Sequence, residues 1–463
     1  MKLKENQAQP VSLKQNIKFK EKIGYGLGDF ASNLLWVPVG MFLMFYYTDV
    51  AGIAAGVIGT IMLISRLLDG LTDIGMGILV DKTKSKHGKA RPWLLWMAIP
   101  FALAAVLAFS VPNTSYVVQL IFIVITYNLL TTLYTSLNIP YGVLNSLITQ
   151  DQYERSILNI FRMVFAITAS IIVSVGTLPI VNALGGKQLG WQLTFSIFGG
   201  IAALLFIITF FSTKERVVPA NETSHVSVPV KVGLKALFRN KYWLLVLSFF
   251  IVTNLGTGIN QGSTIYFAQY ILGDPKLVGL LSLSSMVPLF VGMFFVSPFI
   301  KRFGKRNSMM IGQFIILVGV LLILVDPTNI TIVLISGVIK SIGSVPVVGT
   351  MFALLADTIE YGEWKSGVRT EGLVYSAGSF GAKVGTGLGT GLIGWMLSWG
   401  GYVGGTSTQP DSAILAIKII FIYIPIIIVL TKIVLLWFYK LDKKYPQIVK
   451  DLQARGEMNH PKN

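Results

Sequence analysis

Residues 191–211 read WQLTFSIFGGIAALLFIITFF, 21 residues without one charge. Stretches 94–111 and 413–438 have the same character, apolar on every side with at most two lysines. About 20 such residues cross a bilayer as a helix. Lipid offers the backbone no hydrogen-bond partner, so the span must be helical. A transmembrane β-barrel would instead alternate apolar and polar residues over about 10 positions. The composition agrees: 53% of the 463 residues are hydrophobic and 13% charged, where a soluble domain carries about 25%.

Working outward from this stretch, helices are expected over 25–50, 53–80, 93–112, 116–148, 156–183 and 191–211. A second set follows over 241–271, 277–300, 308–325, 330–360, 369–400 and 412–438. The fold class is therefore all-α and integral to the membrane, about twelve transmembrane helices in two pseudo-symmetric six-helix bundles. The expected division is an N-terminal tail 1–24, a first bundle 25–211, a central loop 212–240, a second bundle 241–438 and a tail 439–463. The first apolar segment is too long for a secretory leader and should stay as a helix.

Charge placement sets the orientation. Of 38 lysines and arginines, 30 fall in the tails and the loops on one side, and only Lys187 and Lys276 on the other. The positive-inside rule puts the basic side, with both termini, in the cytoplasm. The net charge of +17 thus reports topology and gives no reason to expect a nucleic acid partner. Internal repetition supports two halves. Gly88-Lys89 follows the second helix and Gly304-Lys305 the eighth. Such halves place a ligand site at their interface near the midplane.

The chemistry lies in charges inside the spans. Arg66, Asp69 and Asp73 are spaced by three and then four residues, so they share one helix face. Each costs roughly 2.5–3.5 kcal/mol in the bilayer unless paired or functional. Two carboxylates with one guanidinium suit a monovalent cation or a proton, and Thr135 on the fourth helix offers a further oxygen. Asp29 on the first helix is expected to accept sugar hydroxyls, with Arg162 and Lys383 as counter-charges in the cavity. Lys418 and Lys432 lie nearer helix ends, where snorkelling would suit them. Lys340 sits well inside the tenth helix, with no partner evident. Seven glycines between 378 and 394 suggest close helix packing in the eleventh.

The fourth helix carries Tyr127, Asn128, Thr131, Thr132, Tyr134, Thr135, Asn138 and Tyr141 around Pro140. The seventh adds Asn254, Asn260, Gln261, Thr264, Tyr266 and Gln269. Amides, hydroxyls and rings together suit a hydroxyl-rich ligand with an apolar ring face. Enzyme readings find little support. There is no cysteine, and the three histidines, His87, His225 and His460, lie in loops or tails. No phosphate-binding Gly-x-x-x-x-Gly-Lys-Ser/Thr loop is present. No cofactor is expected, and no metal beyond a monovalent cation at Asp69 and Asp73.

Several of these segments resemble the glycoside–pentoside–hexuronide:cation symporters, a branch of the major facilitator superfamily. They are Gly28-Asp29-Phe30, Ser65 to Asp73 (SRLLDGLTD), Tyr134 to Tyr141 (YTSLNIPY), and Ala356 to Lys365 (ADTIEYGEWK) with Arg369 to Gly372 (RTEG). The resemblance implies symport of a glycoside with Na+ or H+, Li+ being a further candidate, across the bacterial plasma membrane. It implies a cation site of Asp69, Asp73, Thr135 and Lys383, with Arg66 in the charge network. It implies a sugar site of Asp29, Tyr134, Asn138, Arg162 and Ser379. Cytoplasmic ion pairs of Asp81, Arg91, Arg155, Asp357 and Arg369 would close the inner gate. Melibiose permeases of this family carry an aspartate at the place of Asn138 and a sugar-stacking tryptophan at that of Gly142. Those departures turn the expectation from galactosides toward xylosides or isoprimeverose. A uniporter or exchanger of the same fold is the alternative.

Overall fold

The computed structural model describes residues 17–217 and 230–459. Residues 1–16 of the expected N-terminal tail, 218–229 of the central loop with His225, and the end from His460 lie outside them. The first six helices are α1 (Phe19–Val50), α2 (Ala55–Lys82), α3 (Arg91–Ala108), α4 (Tyr116–Ile148), α5 (Gln152–Ala183) and α6 (Lys187–Ser212). The next six are α7 (Lys241–Tyr270), α8 (Leu277–Met293, continued by Val296–Phe303), α9 (Lys305–Leu322), α10 (Ile330–Ser366), α11 (Glu371–Trp399) and α12 (Asp411–Phe438).

Ten of these are long and apolar enough to span a membrane, and α8 is an eleventh, bent by 66° at its break. The glycines of α11 dilute its hydropathy, yet it runs 29 residues and packs between α2 and α7. Apolar side chains such as Val117, Ile121, Ile125, Leu204 and Ile427 are exposed around the bundle. A soluble protein would not leave so many bare.

Helix starts follow their caps. Asp151 accepts from Tyr153 N at 2.8 Å, Asn240 from Trp243 N at 3.0 Å, and Asn329 from Thr331 N at 3.0 Å, which satisfies otherwise orphaned amides. Gly367, at φ 70°, ends α10 in the left-handed conformation. Several ends run beyond their expected limits: α1 starts at Phe19 and α10 continues to Ser366. Hydropathy marks where apolar residues stop, but a helix continues into water on polar residues. Short helices Val230–Phe238 and Leu441–Asn459 occupy parts of the polar segments.

The packing repeats with a period of six helices. In the first set α1 packs on α5 and α6, α2 on α4, and α3 on α4 and α6; in the second α7 packs on α11 and α12, α8 on α10, and α9 on α10 and α12. Between the sets, α2 meets α11, α5 meets α8 and α1 meets α7. Adding six to each number turns the first contact into the second and leaves the third unchanged. That is the pattern a pseudo-two-fold axis produces.

Candidate functional site

The midplane cluster is built where α2, α4 and α11 meet. Lys383 Nζ lies 2.9 Å from Asp69 Oδ2 and 2.6 Å from Asp73 Oδ2. It also donates to the Asp69 carbonyl at 3.1 Å. Thr135 Oγ1 is 3.0 Å from Asp69 Oδ1 and 3.1 Å from Asp73 Oδ1. Arg66 Nη1 stands 3.9 Å from Asp69 Oδ2. The four side chains expected in the cation site therefore come together, with Arg66 beside them. Read on helix two alone, the cluster is net negative. With Lys383 inserted it holds two carboxylates and two cations, so an incoming alkali ion must compete with the ammonium for the same oxygens.

Glycine lets α11 come this close. A methyl at Gly385 would collide with the Ile251 carbonyl oxygen on α7, and one at Gly394 with the Ala55 carbonyl oxygen on α2. The close-packing reading of these glycines describes what they do.

The second cluster lies in the first half alone. Arg162 Nε donates to Asp29 Oδ2 at 2.6 Å and Nη2 to Oδ1 at 3.4 Å. The guanidinium lies over Tyr141 at 4.6 Å and over Tyr25 at 5.8 Å, and those rings stack at 4.8 Å. Asn138 Nδ2 donates to Tyr134 Oη at 3.1 Å. Ser379 is exposed, one turn before Lys383. A methyl at Gly142 would meet nothing within 4 Å, so the space is open where the resemblance places an aromatic ring.

Trp36 is a residue that sequence reasoning missed. Its ring stacks on Tyr134 at 3.8 Å, and Arg66 lies over it at 4.6 Å. It joins the two clusters. The available signal was its position two turns beyond Asp29, on the same face of α1.

A cavity of about 240 Å³ lies between the halves, lined on the first by Asn33, Val37, Met41 and Ser170. Asn33, Gln261, Asn260, Thr264, Ser285 and Lys340 are among its lining. Asn33 donates to the Asp29 carbonyl at 2.7 Å, one turn away. Lys432 departs from its expected place. Rather than snorkelling, it is 7% exposed, because it shares the inward stripe of α12 with Val429 and Leu436.

The expected gate residues pair within their own halves. Asp81 meets Lys89 at 3.6 Å, and Arg91 donates to the Phe210 carbonyl at 2.8 Å. Arg155 donates to the Thr149 carbonyl at 2.8 Å, Asp357 meets Lys305 at 2.7 Å, and Arg369 meets Glu363 at 2.7 Å. In the loop after α10, the hydrogen bond to Glu363 raises the Arg369 pKa further. Among the described residues, none of these five pairs across the halves.

The opposite end is joined through Thr48 and Asp49 of the first half and Tyr266, Tyr270, Tyr402 and Gly405 of the second. Asp49, at the end of α1, accepts from Tyr402 Oη at 2.7 and 2.9 Å, from Tyr270 Oη at 3.1 Å and from Gly405 N at 3.2 Å. Thr48 Oγ1 and Tyr266 Oη are 2.8 Å apart. Burial raises the Tyr402 phenol pKa in its loop, so it remains a donor.

Comparison with known proteins places this architecture. Residues 24–443 match the family described as MFS/sugar transport protein. The chain is 36% identical over 456 residues to the isoprimeverose transporter of Lactiplantibacillus pentosus, covering 96% of this chain and 94% of that one. It is 32% identical to a putative glycoside/cation symporter of Escherichia coli (strain K12), covering 95% and 97%. A bacterial homolog of the human lysosomal transporter Spinster shares the fold with a TM-score of 0.64 at 13% identity, covering 93% of this chain and 97% of that one. The chain therefore belongs to the MFS/sugar transport protein family, and it is a multi-pass membrane carrier of the major facilitator superfamily rather than an enzyme.

Proposed function

We propose that this protein is a symporter that couples a glycoside to Na+ or H+, with Li+ as a further candidate ion, and that its substrate is a xyloside or related pentoside. The observation that carries the coupling is Lys383. It reaches from the second half to Asp69 and Asp73 of the first, so an ion bound there alters a contact between the moving halves. The names of the L. pentosus and E. coli relatives support glycoside transport, and the first supports a xyloside.

With the basic loops cytoplasmic, the Asp49 cluster joins the halves at the outer end, while the expected gate residues at the inner end pair within their own halves. The plasma membrane and cytoplasmic termini follow from that orientation. Displacing Lys383 with a cation frees α11 from α2. The sugar then engages Asp29, Arg162, Tyr134 and Asn138. Since binding coupling is reciprocal, ion and sugar raise each other's affinity by one factor. Rocking about the filled site exposes it to either side in turn. The inner pairs of Asp81, Arg91, Arg155, Asp357 and Arg369 re-form across the halves when the inner end closes.

A uniporter or exchanger is the second reading, favoured by one observation. Lys383 and Arg66 together already balance Asp69 and Asp73, so the pair needs no added ion to be neutral. Uptake of radiolabelled isoprimeverose into proteoliposomes separates the two. Stimulation by an inward sodium or proton gradient supports symport. Equal uptake with and without both gradients supports the second reading.

A further inference from the structure

The far arm of α8 departs from the rest of the bundle. Pro298 has no amide to give, and the Phe294 and Phe295 amides turn back to the Val291 and Gly292 carbonyls at 3.3 and 2.9 Å. The helix breaks there, and Val296–Phe303 leaves at 66° to the span that carries it. Val296, Phe299, Ile300 and Phe303 share one face of this arm, and Ser297, Pro298, Lys301 and Arg302 the other. The apolar face leans on α10, where a methyl at Gly349 would press on Val296 at 2.7 Å, yet no residue of the arm is buried. At the bend, Phe294 and Phe295 are 71% and 67% exposed.

The basic residues that follow divide in two. Lys305 and Arg306, past the turn at Gly304, are held by their own half. Lys305 meets Asp357 at 2.7 Å, and Arg306 donates to the Leu436 and Trp437 carbonyls at 2.7 and 3.2 Å. Lys301 and Arg302 are exposed. Among the described residues neither has a hydrogen bond or an ion pair, and the Arg302 guanidinium lies over its neighbour Phe303 at 5.5 Å. The local chain supplies no acid, since no aspartate or glutamate occurs between Asp274 and Asp326.

A free anion in water would use the two bases and leave the rings bare. A lipid leaflet uses both. A helix with one apolar and one basic face lies in the interface, its rings among acyl chains and its bases among headgroups. Phe294 and Phe295 stand at the end of the apolar span, and Lys301 and Arg302 two turns beyond. That is the order of chain and headgroup in a leaflet. We propose that Lys301 and Arg302 bind the headgroup phosphate of an anionic phospholipid in the leaflet that faces the basic loops, with Phe294 and Phe295 against its acyl chains. The site stands on the α8 arm and rests on neither the sugar nor the coupling ion.

The test is native mass spectrometry of the full chain titrated with dioleoyl phosphatidylglycerol or dioleoyl phosphatidylcholine. Each base near an anionic headgroup contributes about fivefold. Phosphatidylglycerol should therefore bind the wild-type chain about 30-fold more tightly than Lys301→Gln with Arg302→Gln. Exchanging the bases, Lys301→Arg with Arg302→Lys, should keep that affinity, and phosphatidylcholine should not distinguish the variants. As a charge-matched control, Lys84→Gln with Lys86→Gln removes two exposed bases after α2 and should leave phosphatidylglycerol binding unchanged. Equal losses in the two glutamine variants would reduce the effect to general attraction by positive charge and overturn the site. Unchanged phosphatidylglycerol affinity in Lys301→Gln with Arg302→Gln, at an unaltered melting temperature, overturns it as well. So does full displacement of the lipid by equimolar sn-glycerol 3-phosphate, which would make this a site for a free phosphate.

Discussion

Two clusters tie the halves together, and they are built on opposite electrical plans. At the midplane, Asp69 and Asp73 face Lys383 and Arg66. Charge meets charge, and the ammonium holds oxygens that another cation could take. At the far end, Asp49 faces Tyr402, Tyr270 and the Gly405 amide. No base balances it among its contacts, and its partners are neutral donors. The first tie can be exchanged for an ion. The second can only be made or broken as the halves move. An ion-driven carrier needs both kinds, one to sense the ion and one to hold a state.

Breaking each tie separates these roles. The largest effect is expected from Asp49→Asn, which strips charge assistance from two phenols. A loss of about 3 kcal/mol, on the order of 100-fold, should move the population toward the state open at the far end. The chain has no native cysteine, so a single Ser282→Cys in the seam beside α5 reports it by maleimide labelling from that side. Unchanged labelling would deny the Asp49 cluster its holding role.

Lys383→Gln removes the ammonium that competes at the midplane. Sodium should bind more tightly by roughly 30-fold, equivalent to about 2 kcal/mol, as read by titration of the purified protein. Weaker sodium binding would mean that Lys383 helps to hold the ion. The smallest effect belongs to Tyr402→Phe, which deletes one donor to Asp49. It should cost about 1.5 kcal/mol, roughly tenfold in the same labelling assay, and should leave sodium affinity unaltered. A change in sodium affinity would show that the two ties are not separate.

The midplane cluster was legible in the sequence, and the far-end one was not. Three charges spaced at helical intervals in an apolar segment announce a buried face, and Thr135 and Lys383 stand out as polar groups in apolar runs. The far-end cluster joins Asp49 to Tyr402 across 353 residues, from a helix end to a loop that the hydropathy pattern leaves blank. The second helix read alone is negative, and the balancing ammonium is Lys383, which the resemblance had already put in the cation site and the packing of α11 brings to both carboxylates. Length and apolarity mark ten spans and bent α8 as an eleventh, while glycine-rich α11 falls short on apolarity. The bend in α8 was not anticipated, though its signal is there: Pro298 has no amide to give the Phe294 carbonyl and its ring crowds it, which breaks the ladder at Phe294–Phe295. Lys432 was misplaced because distance from a helix end says nothing about which face a residue occupies.

The central claim, that Asp69 and Asp73 receive the coupling ion, is tested most directly by Asp73→Cys in proteoliposomes, comparing gradient-driven uptake of isoprimeverose with its gradient-free counterflow. The account predicts that the sodium or proton gradient no longer accelerates uptake, while counterflow continues at a measurable rate. Gradient-driven uptake at the wild-type level would contradict it and move the ion site away from this pair.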